Sequence, residues 1–140
     1  LQSSAASDVY KRQDEKVVKN ILGNIPIENI SFLKSSSLKI GDTRIVSNKS
    51  AIYKLVAHYL MNEKNSKQLP INDVCRFHLG NGAIIDDIVI NANISEVGFK
   101  RSYGVMVNYL YELKNIEKNH EEYINKKTTI ISNKVKKLIQ

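Results

Sequence analysis

Apolar positions recur along this chain with a period near 3.6 in some stretches and near 2 in others, separated by polar, glycine- or proline-marked breaks. Val17, Val18, Ile21 and Leu22 share one side of a predicted helix over 14–22, opened by Asp14 and Glu15 where a helix N-terminus favours negative charge. Gly23-Asn24 stops it, and Ile25-Pro26-Ile27 is extended because proline disfavours helix at the preceding residue. A second short helix is expected over 28–38, running into Ser35-Ser36-Ser37. Residues 39–47 read as a connection that turns at Gly41-Asp42. The clearest helix spans 51–62, with Ile52, Leu55, Val56, Tyr59 and Leu60 on its apolar face and Ser47 or Asn48 as its cap.

A polar stretch (63–68) and an extended turn (69–73) follow. Residues 74–79 read as a strand, Gly80-Asn81-Gly82 as a turn that tolerates positive φ, and 83–90 as the returning strand. That hairpin would carry His78 near its tip. Ser95 is the expected cap of a short amphipathic segment running through Phe99 to about Tyr103, ended by Gly104. Val105 to Tyr111 is rich in β-branched and aromatic residues and apolar on both faces, which predicts a central strand. Helix returns over 115–124, a short strand is expected over 128–131, and Ser132 caps a terminal helix with Val135, Leu138 and Ile139 on its apolar face. The predicted class is α+β, a mixed sheet flanked by helices, without internal repeats or a dividing linker. Residues 1–13 are small, polar and aperiodic. They resemble a translated sequencing-adaptor scar or a disordered tail and receive no function.

Composition narrows the picture. A chain of 140 residues with 42% apolar content is the size of one domain and can bury a core. The net charge of +7 comes from lysines scattered among acids and asparagines, and the seven tyrosines fall mostly at apolar-periodic positions. A nucleic-acid interface would concentrate charge on one face beside stacking aromatics, so solvated lysine faces or an anion-attracting cleft fit better. No stretch reaches the roughly 18 apolar residues of a membrane span. A single cysteine, Cys75, cannot form an internal disulfide, which fits a reducing, cytoplasmic setting.

His78, at the end of an apolar run and before a glycine-rich turn, is the first candidate for chemistry, although a lone histidine beside a turn is more often structural. His58 and His120 read as solvated or capping, and Cys75 as a packing residue. The Gly80-Asn81-Gly82 turn could offer N–H groups to a phosphate or thioester oxygen, or be a plain hairpin turn. Asn108 is expected as a buried amide in need of partners. Tyr109 and Tyr111 alternate with Asn108 and Leu110, so one of these sets belongs to the core.

Four linked blocks carry a resemblance. Cys75-Arg76-Phe77-His78-Leu79-Gly80-Asn81-Gly82-Ala83, Ser95-Glu96-Val97-Gly98-Phe99-Lys100-Arg101-Ser102-Tyr103-Gly104, Met106-Val107-Asn108-Tyr109-Leu110-Tyr111 and Ile116-Glu117-Lys118-Asn119-His120-Glu121-Glu122-Tyr123 resemble, in order and spacing, the C-terminal part of the malonyl-CoA decarboxylases. The likeness runs from about Ala51 to the C-terminus. It implies a catalytic domain with the fold of the GCN5-related acetyltransferases, converting malonyl-CoA to acetyl-CoA and CO2 without a metal or organic cofactor, coenzyme A thioester being the substrate. It implies that His78 handles a proton beside a serine, and that Asn108, Tyr109, Asn81 and Gly82 orient it or line the pocket. Loss of CO2 leaves an enolate that needs donors at oxygen and a proton at carbon, and a histidine can supply either.

The family serine lies in a Ser-Pro-Ile-Pro-like segment that nothing here matches. The expectation is therefore a fragment, inactive alone, whose serine, much of its coenzyme A loop and N-terminal helical domain lie upstream, in a full-length protein that forms a homo-oligomer. Val89-Ile90 stands where the family usually has asparagine-tryptophan, and Asn93 where an aspartate follows, which bears on the shape of the acyl pocket. Two other classes fit the same pattern. One is an acyl-CoA-binding or acyl-transfer domain without decarboxylation, the other a noncatalytic module with His78 sealed in an apolar surround.

Overall fold

The computed structural model describes residues 14–35, 38–97, 99 and 103–140. Helix α1 (Glu15–Leu22) starts where the Asp14 carboxylate accepts the Val17 N–H at 2.9 Å, and it buries Val18 and Leu22, one turn apart. The next element is a 3-10 helix (Ile27–Lys34) and not the α-helix expected over 28–38. Its apolar residues explain the tighter winding, since Ile27, Ile30 and Leu33 recur every three residues, the period of a 3-10 turn. The expected connection over 39–47 contains a short helix, α2 (Thr43–Ser47), nucleated by Asp42. That carboxylate accepts the Arg44 N–H at 2.9 Å and pairs with its guanidinium at 2.8 and 3.0 Å, while Ile45 is fully buried.

Helix α3 (Lys49–Asn62) is the centre of the molecule. Ala51, Ile52, Leu55, Val56, Ala57, Tyr59 and Leu60 are all buried, a face wide enough to meet α1, α2 and the C-terminal helix. Asn48 occupies its N-cap position as expected but makes no side-chain capping bond: Ser47 Oγ and Asn48 Nδ2 donate backwards to the Thr43 and Arg44 carbonyls of α2.

The main correction concerns residues 74–79. They form helix α4 (Asp73–Gly80), not a strand, so His78 sits in the last turn of a helix and not at the tip of a hairpin. The side chain of Asn72 accepts the Cys75 N–H at 2.9 Å, Asp73 adds negative charge to the first turn, and Cys75 and Leu79 are buried one turn apart. Val74 and Phe77, which give the segment its strand-like composition, are outweighed by that cap. Gly80-Asn81-Gly82 is accordingly the C-terminal turn of a helix.

Strand β1 (Ile84–Val89) pairs antiparallel with β2 (Met106–Leu110), in a register running from Ile84 opposite Leu110 to Val89 opposite Met106, with a bulge at Asp86. Ile131 makes a parallel bridge to Ile85 on the other edge of β1, where the Ile85 N–H donates to the Ile130 carbonyl and the Ser132 N–H to that of Ile85. β1 is therefore the strand paired on both sides. β2, expected at the centre, has no second partner among the described residues, and Asn108 and Leu110 on its outer face are exposed. After a short 3-10 turn (Leu113–Asn115), helix α5 (Ile116–Lys126) packs on α4. Helix α6 (Asn133–Leu138), capped by Ser132 as expected, anchors on β1 and α3 through buried Val135. The helix expected from Ser95 to Tyr103 falls partly on residues 98 and 100–102, outside the described residues. Its flanking bonds from Phe99 N–H to Ser95 O and Tyr103 N–H to Phe99 O are present at 2.8 Å. The architecture is α+β. Among the described residues, no helix is long and apolar enough to cross a membrane.

One close approach fixes how α4 meets α5. Gly82 has φ +91°, and a Cβ there would lie 2.5 Å from the Ile116 carbonyl oxygen and 2.7 Å from its Cγ2. Gly41, at φ +78°, faces open space. Gly82→Ala should therefore cost about 3 kcal/mol, from backbone strain of about 1–2 plus overpacking of about 1–3. Gly41→Ala should cost only the strain, about 1 kcal/mol. Urea unfolding of the two variants checks this, and equal losses would show that Ile116 yields freely.

Candidate active site

The position of α4 is set at both ends. At its start, buried Asn72 also donates to the Tyr59 hydroxyl of α3 (3.4 Å), and Arg76 pairs with Asp73 and donates to the Pro70 carbonyl (2.9 Å). At its end, the Asn81 N–H donates to the Phe77 and His78 carbonyls and the Gly82 N–H to that of Leu79, while Asn81 Nδ2 donates to the Phe77 carbonyl at 2.8 Å. The amides of Asn81 and Gly82 are thus spent on closing the helix. They are not available to a phosphate or thioester oxygen, so of the two readings of this turn, an N–H donor site or a plain structural turn, the second fits.

Cys75 and Leu79 take α4 into the core, which leaves His78 half-buried on its flank. Its ring stacks on Tyr109, with centroids 4.4 Å apart and planes 22° from parallel, and its Nδ1 lies 2.6 Å from the Tyr111 hydroxyl. Phe77, 64% exposed, touches the ring edge-on at 5.2 Å. A short hydrogen bond and a stacked ring hold the imidazole, with Nε2 outside the Tyr111 bond. The hydroxyl can donate to an unprotonated Nδ1 or accept from a protonated one, so it serves either charge state of His78.

The period of a strand decides which β2 residues take part. Val107, Tyr109 and Tyr111 lie on the inner face, while Asn108 projects to the outer face and is exposed. Asn108 is therefore not the expected buried amide, whereas Tyr109 lies against the His78 ring. Tyr111 is the residue that composition alone missed. The available signal was its parity with Tyr109, because two tyrosines at i and i+2 must face the same way.

Behind Tyr109 lies Cys75. Cys75 and the Tyr109 hydroxyl are buried, the hydroxyl finds no hydrogen-bond partner of ordinary geometry, and the two groups face each other. Burial pushes the Cys75 thiol up to about 11, and burial together with the neighbouring thiol pushes the Tyr109 hydroxyl well above its ordinary value. Cys75 is thus a packing residue and not a nucleophile. His58 bonds Asn62 on α3, with burial lowering its pKa, and His120 reaches the Gly80 carbonyl from α5. Val89 and Ile90 line a cavity of about 300 Å3 at the opposite end of the strand pair from His78, and Asn93 accepts hydrogen bonds from Ser95. These departures from the family pattern fall away from the imidazole. No cluster of metal-ligating side chains occurs among the described residues.

The thiol gives a pH prediction with a defined sign. A group raised from 9.0 to about 11 by folding holds its proton better in the folded state, so its stabilisation is complete below pH 9. It is lost as pH rises from 9 to about 11. Stability followed by urea unfolding should decline over that window, and the decline should be smaller in Cys75→Ala. An unchanged slope in that variant would assign the decline to other groups.

Residues 5–140 match the family model described as "Malonyl-CoA decarboxylase C-terminal domain". The chain is 28% identical over 134 residues to the mouse (Mus musculus) protein "Malonyl-CoA decarboxylase, mitochondrial", covering 95% of this chain and 27% of that protein. The goose (Anser anser anser) protein of the same name is 28% identical over 122 residues, 86% of this chain and 24% of its own. Among solved structures, malonyl-CoA decarboxylase from Agrobacterium vitis superposes with a TM-score of 0.77 at 27% identity, covering 99% of this chain and 34% of that one. The Rhodopseudomonas palustris enzyme gives 0.74 at 27% identity, over 99% of this chain and 31% of its own. The chain thus spans about a quarter of the length of these curated relatives, and over that length it belongs to the malonyl-CoA decarboxylase family, in its C-terminal domain.

Proposed function

We propose that this chain forms part of an enzyme that decarboxylates malonyl-CoA to acetyl-CoA and CO2, with His78 as the proton donor to the enolate. The observation that carries the reading is the imidazole itself, fixed at Nδ1 by Tyr111 at 2.6 Å and stacked on Tyr109 within the region matched to the family. The C–C bond to the carboxylate breaks, its electron pair forms the thioester enolate, and CO2 leaves. The enolate carbon then takes the Nε2 proton of a cationic His78, giving acetyl-CoA and a neutral imidazole that keeps its Nδ1 proton on the Tyr111 oxygen. No side chain must turn between the two states, so the ring is preorganised for the transfer. Water reloads the proton.

The rest of the machinery belongs to the same proposal. A serine from polypeptide outside this chain stands beside His78, and the whole catalytic domain has the fold of the GCN5-related acetyltransferases. The reaction runs without metal or organic cofactor. The exposed apolar side chains around the site, Phe77 and the 90% exposed Leu113, would then contact that additional polypeptide or the thioester.

In the full-length protein, His78→Ala should abolish most CO2 release from malonyl-CoA while leaving coenzyme A binding intact, a loss of about 100-fold or more for a general acid. Tyr111→Phe keeps the ring and removes the hydroxyl, and should lower turnover by about tenfold with little change in KM. Release of CO2 from radiolabelled malonyl-CoA measures both. Unchanged release in His78→Ala sinks the assignment, and acetyl transfer to an amine acceptor without CO2 release would favour an acyl-transfer domain instead.

A further inference from the structure

Every helix leaves its last carbonyls without partners inside the helix, and those of α4 can be accounted for one by one. The Phe77 carbonyl accepts from Asn81, through both its N–H and its Nδ2. The His78 carbonyl accepts from the Asn81 and Ala83 N–H groups, both at 3.1 Å, and the Leu79 carbonyl from the Gly82 N–H at 3.0 Å. The Gly80 carbonyl is different. Its partner is Nδ1 of His120, forty residues further on, at 2.6 Å.

We propose that His120, on α5, is a positioning residue for His78, acting through the C-terminal turn of α4. The inference rests on His78 being the proton-handling group and adds a residue that never touches substrate. A carbonyl oxygen only accepts, so the 2.6 Å contact requires a proton on His120 Nδ1. His120 is itself exposed, so its side chain contributes this bond far more than packing.

The bond is one of four contacts by which α5 grips the same turn. Asn119 Nδ2 donates to the Gly82 carbonyl at 3.2 Å, and Gly82 presses so close to the Ile116 backbone that no Cβ fits. The Tyr123 ring stands beside Gly80 as well. The clamp ends two residues from His78, and the clamped turn supplies both N–H groups that bond the His78 carbonyl. A shift of the turn therefore moves the His78 backbone relative to Tyr109 and Tyr111, which lie on the separate strand β2 and its extension. The 2.6 Å bond at His78 Nδ1 depends on where α4 ends, and His120 supplies the bond to the last residue of α4, Gly80, that comes from another element.

Long-range 1H–15N NMR of the imidazoles in the 140-residue chain tests the proposal without reading turnover. In the unaltered chain at neutral pH, His120 should carry its proton on Nδ1. His120→Ala should shift the His78 ring resonances and weaken the signature of its Nδ1 bond to Tyr111. His120→Asn, whose Nδ2 can occupy the place of the lost Nδ1–H, should restore them, and Lys118→Ala on the same helix should leave them unmoved. His78 resonances identical in His120→Ala and the unaltered chain would overturn the proposal. So would a neutral His120 protonated only on Nε2, a reading that needs no variant and decides the matter even if His120→Ala does not fold. A chain that passes these tests yet belongs to an enzyme releasing no CO2 would retain the clamp and lose only the decarboxylase assignment.

Discussion

The contact between the end of α4 and the start of α5 is the constraint on which the rest of the site depends. A helix terminus is ordinarily a soft place, where the last turn frays because its carbonyls have no partners in the helix. Here that turn is trapped, with a glycine against the Ile116 backbone on one side and hydrogen bonds from Asn119 and His120 on the other. His78, the proposed proton donor, sits two residues before the clamped Gly80, in the last turn of the helix. Its ring is then met from a different element, the β2 strand, whose inner face supplies a stacking surface and whose extension supplies a hydroxyl. Two rigid elements, each fixed in the core independently, converge on one imidazole. That is how a half-buried side chain near a helix end comes to hold a defined orientation.

The core behind the site explains how Tyr109 is packed. Its ring is wedged between the imidazole and the Cys75 thiol, and its hydroxyl is buried without an ordinary partner, a cost of about 1–3 kcal/mol that the surrounding packing must outweigh. An unsatisfied polar atom in a close-packed region marks a place where geometry takes precedence over stability. On the opposite face of the same strand Asn108 and Leu110 are exposed, so β2 has one side committed to His78 and one side open.

Much of this was legible in the residues, and the failures have physical causes. The long amphipathic helix around Leu55 and Tyr59, the strand after Ala83 and the Ser132-capped terminal helix follow directly from periodicity and capping residues. The segment 74–79 misleads because Val74 and Phe77 favour a strand, whereas Asn72 followed by Asp73 is a helix-start signal that outweighs them over so short a run. Mistaking that helix for a strand also turned its C-terminal turn into a hairpin and paired β1 with the wrong neighbour. Asn108 was misplaced because an apolar strand reads as buried on both faces, although a strand can be apolar and still have an open side. The flanking blocks single out His78 and carry the family resemblance that the family match bears out. The partner of His78, Tyr111, thirty-three residues away, was signalled only by its parity with Tyr109, since no local pattern encodes which helix their shared face meets.

The geometry also limits how much His78 can do. An imidazole has two nitrogens, and Tyr111 engages one of them at 2.6 Å. Only Nε2 remains for a substrate. An enolate formed by decarboxylation has two demands, charge stabilisation at oxygen and a proton at carbon, and a single N–H meets one at a time. The Asn81 and Gly82 amides of the turn offer the enolate no further N–H donors, since they close the helix. If His78 is the proton donor, the enolate oxygen must be met by a group other than this turn. A serine contributed by polypeptide beyond this chain, which spans about a quarter of its curated relatives, would answer that demand without competing for the imidazole. Under that proposal the two needs of the intermediate divide between two groups, because Tyr111 has already claimed one side of the ring.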